Sequence, residues 1–295
     1  MPEKCKKTTI GMALNWTIEK LKEANLEDAQ SEAEFLLTHI LNMKRHKLFL
    51  SPGYELTSQE CKALKNSIAR RLTREPVQYI AGETEFYGLR IKLNRSSLIP
   101  RPETEILVDE AKKAASNLAS PLIIDLCTGS GCIAIAVANE LPNCRVVAAD
   151  IVPGAIEIAR ENAQINNLQE RVTFVQGDLF KPLSSLGLER MADIILSNPP
   201  YISAEDYANN LAVEVRDYEP RAALYGGPDG GDFIRKIIEG APRFLKPRGV
   251  LIMEFGYDQA CLVEDAIGNS SEYDMHIITK DLNGIDRVLK ARAKQ

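Results

Sequence analysis

The sequence predicts an α/β fold: a mainly parallel sheet with an antiparallel edge strand, preceded by a small N-terminal helical bundle. Three observations predict it. Up to about Gly82, apolar residues recur at three- and four-residue spacings with no strand-like alternation. From about Leu107, helical stretches alternate with short continuous apolar runs, the mark of a parallel sheet covered on both faces. Near the end, two β-type runs flank Asn283-Gly284, a hairpin signal. The chain has 295 residues, 45% hydrophobic and 26% charged, which excludes a disordered or fibrous chain. At about 150 residues per domain the length suits two domains.

The elements follow in order. Thr17 to Leu26 and Ala29 to Leu41 place Leu, Ile and Phe on one helical face. Thr57 and Glu60 form a capping-box pattern opening a helix to about Leu72. Pro76 starts a short helix and Gly82 stops it. Glu85 to Leu93 alternates apolar positions and reads as a hairpin within a linker. Helices are then expected at Val108–Leu118, Cys132–Leu141, Ala155–Asn166 and Phe233–Leu245. Strands are expected at Leu122–Leu126, Arg145–Ala149, Val172–Gln176, Ala192–Ser197 and Gly249–Glu254, with the final hairpin pairing Met275–Thr279 and Arg287–Ala291. The domain expectation is a helical substrate-docking domain at 1–82, a hairpin linker at 83–106 and a catalytic domain at 107–295.

Charge and cysteine usage narrow the function. A formal charge of −5 argues against a protein whose affinity rests on neutralising phosphates. Lys62, Lys65, Arg70, Arg71 and Arg74 cluster in one helix, either as a solvated face or as a docking face for a macromolecule. The six cysteines, Cys5 among them, show no CxxC spacing, and the three histidines are far apart. Free thiols in a reducing cytosol and no metal centre are expected. Met1-Pro2-Glu3-Lys4 is charged with no apolar stretch after it, and no run of about 18 apolar residues exists, so neither a leader nor a membrane span is expected.

Two motifs carry the chemistry. Asp125-Leu126-Cys127-Thr128-Gly129-Ser130-Gly131 joins the first sheet strand to its helix, where glycines let a ligand approach the main chain. Asp150 ends the next strand, placed to accept from ribose hydroxyls or to serve as a loop acid. Gly129-x-Gly131-x-x-Ala134 also satisfies a dinucleotide fingerprint, which keeps an NAD oxidoreductase in play. Asp125 would repel a pyrophosphate, and so favours S-adenosylmethionine, which has none. Asp178 and Leu179, after the third strand, offer an acid and an apolar cover for an adenine, or an ordinary turn. The second motif, Asn198-Pro199-Pro200-Tyr201, follows the fourth strand. Its prolines remove donors and leave carbonyls free, Asn198 adds an amide, and Tyr201 a flat face. The set suits a planar group bearing an NH₂ on an sp² carbon. The stretch from Ile202 to Gly231 lacks periodicity and reads as a surface loop or a substrate-facing one. No Lys-Ser/Thr follows its glycines, which excludes a P-loop.

These motifs resemble S-adenosylmethionine-dependent class I methyltransferases acting on exocyclic or amide nitrogen. Glu75-Pro76-Val77-Gln78-Tyr79-Ile80-Ala81-Gly82, Glu85-Phe86-Tyr87-Gly88 and Leu98-Ile99-Pro100-Arg101-Pro102-Glu103-Thr104-Glu105 narrow the resemblance to the HemK/PrmC family of release-factor glutamine methyltransferases, over nearly the whole chain. The resemblance implies a Rossmann-like catalytic domain that methylates N5 of the glutamine in the Gly-Gly-Gln motif of class I peptide-chain release factors, leaving S-adenosylhomocysteine. It implies catalytic and substrate contacts at Asn198, Pro199, Pro200 and Tyr201, with Arg101 and Glu103 on the substrate side or in a structural ion pair. Cofactor contacts are implied at Asp125, Cys127, Thr128, Gly129, Ser130, Gly131, Asp150, Ile151, Asp178, Leu179 and Asn198. Cys127 stands where the family's loop usually has glycine. A cytoplasmic monomer without direct nucleic-acid contact is expected. Alternatives are a glutamine methyltransferase of a ribosomal protein, an exocyclic-amine nucleic-acid methyltransferase, and a non-catalytic adapter, the last opposed by the intact Asn198–Tyr201 motif.

Overall fold

A computed structural model describes residues 7–295. Cys5 and the charged N-terminus lie outside the described residues. The chain forms two compact units, one of residues up to Gly82 together with Val213–Tyr218, the other of Glu83–Ala212 with Glu219–Gln295.

The helical unit contains α1 (Ile10–Glu23), α2 (Ala29–Ile40), α3 (Arg45–Leu50), α4 (Ser58–Leu72) and α5 (Val77–Ala81). α1 begins earlier than its apolar spacing suggests, because the Thr9 hydroxyl caps it by accepting from the Met12 amide at 3.4 Å. The capping box of α4 forms as read: Thr57 Oγ1 accepts from the Glu60 amide, and a Glu60 carboxylate oxygen accepts from the Thr57 amide at 2.7 Å. α3 is too short to declare itself by periodicity and buries one side chain, Leu48. Ile10, Leu21, Leu36, Leu37, Leu64 and Ile68 form the core of this unit. Burial of each stabilises by about 1.5–3 kcal/mol relative to exposure.

The basic cluster of α4 divides between surface and interior. Lys62 and Lys65 are exposed, whereas Arg71 is buried. Its guanidinium donates to both Glu32 oxygens at 2.8 and 2.9 Å and to Glu214 at 3.2 Å. Arg74 also pairs with Glu214, and Arg70 with Glu75. Three of the five cations thus hold the unit together, a role neither sequence reading anticipated. The Tyr218 hydroxyl donates to the Thr73 carbonyl, so the segment Val213–Tyr218 is fastened at both ends.

The second unit opens with the hairpin β1 (Glu83–Phe86) and β2 (Leu89–Lys92). Tyr87 and Gly88 turn it with φ of +52° and +72°, the two-residue left-handed turn that suits twisted strands. There follow α6 (Glu105–Ala115), β3 (Leu122–Leu126), α7 (Cys132–Glu140), β4 (Arg145–Asp150), α8 (Pro153–Ile165), β5 (Val172–Gln176), α9 (Lys181–Ser185) and β6 (Ala192–Ser197). Then come α10 (Ala204–Asn209), α11 (Val213–Tyr218, counted in the helical unit), α12 (Asp232–Gly240), β7 (Leu245–Glu254), α13 (Ala260–Gly268), β8 (Tyr273–Lys280) and β9 (Asp286–Ala293). The strands β3–β9 form one sheet in the order β5-β4-β3-β6-β7-β9-β8. β3 to β7 pair in parallel, and β9 runs antiparallel to both its neighbours. The terminal hairpin therefore completes the sheet, with β9 antiparallel to β7 and β8 paired antiparallel to β9 at the edge, as the hairpin signal predicts. Ile124, Leu126, Ile195, Leu251, Met253 and Phe255 pack within the core of this unit.

Strand order positions the site. β3 lies between β4 and β6, so the chain leaves its carboxyl end in opposite senses on either side and opens a crevice there. Asn162 of α8, fully buried, stitches the hairpin to that crevice. Its Oδ1 accepts from the Lys92 amide at 2.7 Å, and its Nδ2 donates to the carbonyls of Lys92 and Ser130 at 2.9 Å. Gly131 takes φ +80°, and a Cβ there would sit 3.0 Å from Ala159 and 3.2 Å from the Phe174 ring. The glycine lets α7 press against α8 and β5.

Replacing Arg71 with Ala leaves Glu32 and Glu214 without their shared cation and should cost about 3 kcal/mol. It should also release the segment Val213–Tyr218, so that trypsin cuts after Arg216 much faster than in the wild type. Time-resolved limited proteolysis checks this; equal cleavage rates would refute it.

Candidate functional site

A cavity of about 680 Å³ opens at the carboxyl ends of β3, β4, β5 and β6. Its wall draws on the loop after β3 through Cys127, Thr128, Gly129 and Ser130, on Asp150 and Ile151 after β4, and on Asp178 and Leu179 after β5. Asn198 and Pro200 after β6, and Arg101, complete the sequence-expected set. Asp125, Gly131, Glu103, Pro199 and Tyr201 are not part of its lining.

The loop after β3 is held by backbone bonds and one carboxylate. The Thr128 amide donates to the Ala149 carbonyl at 3.1 Å and the Gly131 amide to the Thr128 carbonyl at 2.8 Å. Asp150 accepts from the Gly129 amide at 2.8 Å and, with its other oxygen, from the Val152 amide at 2.9 Å. Burial pushes the Asp150 carboxyl above its ordinary range, and these amides pull it partly back. Gly129, at φ +54°, has only the Ser97 Cβ near its open side, at 3.9 Å, so a ligand can lie against the main chain. Gly131 serves helix packing instead. Cys127 adopts φ +58°, a left-handed conformation that costs a non-glycine residue about 1–2 kcal/mol. Burial pushes its thiol up, so the sulfur stays protonated. Ile151 is 58% exposed beside Asp150 and offers an apolar platform, with Leu179 also on the wall. Asp178 pairs with Lys181 at 2.7 Å.

Asp125 lies behind the loop, fully buried. The Thr128 hydroxyl donates to its Oδ2, while Oδ1 has no hydrogen-bond partner among the described residues. Desolvation pushes its carboxyl up to about 7.

The second motif is braced from behind. Asn198 Nδ2 donates to Thr104 Oγ1 at 3.1 Å, and the Thr104 hydroxyl donates to Glu254 Oε2 at 2.7 Å. Tyr201 differs from the flat cavity face expected of it: its hydroxyl donates to Glu254 Oε1 at 3.2 Å and its ring packs on the core. Its carbonyl accepts from Gln259 Nε2 at 2.8 Å. Burial raises the Glu254 carboxyl, opposed by the hydroxyls of Thr104 and Tyr201. Ser197 Oγ donates to the Leu126 carbonyl at 2.9 Å and ties the ends of β6 and β3 together. Pro199 and Pro200 are buried. Arg101 pairs with Glu219, which also accepts from the Ile99 amide at 3.2 Å; Glu103 is not its partner.

Sequence reasoning missed Thr104, Glu254, Arg221 and Tyr225. The last two line the cavity from the segment read as non-periodic, with the Arg221 guanidinium 4.5 Å from the Tyr225 ring centre. Its glycines were the available signal. A Cβ at Gly230 would lie 2.3 Å from the Tyr201 carbonyl, and one at Gly226 2.7 Å from that of Pro200, so this segment lies flush on the Asn198–Tyr201 motif.

A family model described as the PrmC N-terminal domain matches residues 12–82, and one described as a methyltransferase domain matches residues 121–290. The chain is 42% identical over 292 residues to the release factor glutamine methyltransferase of Geobacter sulfurreducens, covering 99% of each chain. It is 40% identical to that of Chlorobaculum tepidum over the full length of both. Among solved structures, the hMettl16 catalytic domain in complex with MAT2A 3'UTR hairpin 1 matches with a TM-score of 0.57 at 16% identity, covering 83% of this chain and 84% of that one. That likeness is one of fold.

Asp125 makes stability depend on pH in a defined sense. Between the ordinary value of 3.8 and about 7 the folded chain keeps a proton that the unfolded chain has lost. The contribution of this one group to stability is therefore fully present below about 3.8 and is lost as pH rises through about 7. Asp125→Asn should flatten this fall. Melting curves taken between about pH 5 and pH 8 on both proteins check it; parallel curves would place the carboxyl's titration elsewhere.

Proposed function

Since the chain belongs to the release factor glutamine methyltransferase family, we propose that it transfers a methyl group from S-adenosylmethionine to the side-chain N5 of the Gly-Gly-Gln glutamine of peptide-chain release factors. The observation that carries this reading is the meeting in one cavity of the Gly129 loop, Asp150 and Asn198, from three strand ends. On this reading the helical unit docks the release factor, and the protein works as a cytoplasmic monomer without direct nucleic-acid contact. Among the described residues no helix is long and apolar enough to cross a membrane.

The residues fit the cofactor. A carboxylate has about four lone-pair directions, and Asp150 spends two on backbone amides, which leaves acceptors for ribose hydroxyls. Ile151 presents an apolar face to a base. Asp125, buried behind the first loop and outside the cavity lining, braces that loop through the Thr128 hydroxyl. When bound, S-adenosylmethionine supplies a methyl already activated on a sulfonium.

The protein's part is positioning. An amide nitrogen is a poor nucleophile because its lone pair is delocalised. Asn198 Oδ1 accepts from the glutamine NH₂, aims its nitrogen at the methyl and stabilises the positive charge that the nitrogen gains as the bond forms, before a proton is lost to water. Held at about 3–3.5 Å from the methyl, a near-attack geometry can supply about 7–11 kcal/mol. A glutamate would bring a carboxylate to this acceptor with no donor, a mismatch of about 1–3 kcal/mol or more.

Incubation with labelled S-adenosylmethionine and an unmethylated release factor, followed by peptide mass spectrometry, tests the reading. A single methyl on the Gly-Gly-Gln glutamine is expected; label only on an added ribosomal protein or RNA would overturn it. Asn198→Ala should lower turnover on the order of a hundredfold while calorimetric cofactor affinity survives. Near-normal turnover in that variant would remove Asn198 from its role.

A further inference from the structure

We infer that Glu254 and Thr104 are positioning residues that lock the side-chain amide of Asn198 with its oxygen turned toward the substrate; the inference rests on the glutamine-methylating reading above and adds what orients its acceptor.

A side-chain amide can rotate by half a turn and exchange its oxygen for its NH₂ with little change of shape. The two orientations are opposite in chemistry, since one accepts and the other donates. Free rotation would therefore present a glutamine NH₂ with a donor as readily as with an acceptor. The structure contains a device that breaks this symmetry. Glu254 stands at the end of β7, 1% exposed, and its two oxygens receive the hydroxyls of Thr104 at 2.7 Å and Tyr201 at 3.2 Å. With Glu254 ionised, its carboxylate has no proton to give, and both hydroxyls donate to it. Thr104, 2% exposed, has a single hydroxyl proton and has spent it. Its oxygen can then only accept, and the group of Asn198 that faces it at 3.1 Å must be the NH₂. Asn198 Oδ1 is left for the cavity that Asn198 and Thr104 both line.

The direction of each bond thus follows from the carboxylate, through one hydroxyl, to the amide. Glu254 and Thr104 need not touch the reacting atoms. The same carboxylate also holds Tyr201, so both ends of the Asn198–Tyr201 motif are referred to one side chain. Tyr201 here is a brace for the motif rather than a face for the substrate.

The test compares Thr104→Val, which keeps the shape and removes the hydroxyl, with Thr104→Ser, which keeps the hydroxyl. The first readout needs no substrate. In protein labelled with ¹⁵N-asparagine, the Asn198 side-chain NH₂ signal, assigned by its loss in Asn198→Asp, should exchange slowly with solvent. That protection should vanish in Thr104→Val and persist in Thr104→Ser. The second readout is turnover on the release factor, where Thr104→Val should lower kcat about tenfold to a hundredfold, with cofactor affinity unchanged. Thr104→Ser should restore most of that loss. An unprotected Asn198 amide in the wild type, equal protection in the valine variant, or equal impairment of both variants would overturn the relay. Failure of the wild type itself to methylate the Gly-Gly-Gln glutamine would instead count against the functional reading, and the amide exchange would still decide the relay.

Discussion

The Asp150 carboxylate grips the Gly129 amide with one oxygen and the Val152 amide with the other. The rest of the site depends on that clasp. It makes the loop after β3 and the loop after β4 a single body, although neither has a regular element to stiffen it. Asn162 completes the arrangement by holding the Ser130 carbonyl and the last residue of β2 together. The floor of the cavity is consequently made of backbone atoms fixed by two buried or half-buried side chains. Its shape owes little to rotamer freedom, which suits a site that must recognise a sugar and a base without closing covalently on either.

The opposite wall works by a different constraint. Prolines fix the main chain after β6, and a glycine-rich segment lies flush against it, so close that side chains are excluded at Gly226 and Gly230. Backbone is thus immobilised from both sides. What remains free is one amide side chain, and its orientation comes from hydroxyls and a carboxylate deeper in the sheet. One wall fixes positions and the other fixes the sense of a dipole.

Much of this was legible in the sequence where cause and effect are neighbours. Val172–Gln176 and Ala192–Ser197 are strands at the bounds their apolar runs suggest, and the Thr57–Glu60 box caps its helix. Asp150 and Asn198 announce themselves because strand ends are where a parallel sheet puts its ligands. The illegible features depend on distant partners. Arg71 looks like one more surface cation until Glu214 arrives from 143 residues away. Thr104 and Glu254 are 150 residues apart and carry no spacing that links them. Tyr201 misled for the same reason: an aromatic beside a binding motif reads as a platform until its hydroxyl finds a buried acid. Gly131 belongs to a ligand fingerprint by pattern and to helix packing by geometry.

The division of the chain into units also has a consequence for how it can be taken apart. After Ala212 the backbone leaves the catalytic unit, contributes α11 to the helical one, and comes back at Glu219. The chain therefore passes between the two units three times instead of once. A cut at Gly82 does not separate modules: it strips α11 of its bed and strands Glu214 and Tyr218 without Arg71 and Thr73. Exchange of the helical unit for another would have to replace the segment Val213–Tyr218 at the same time, since that segment packs with it.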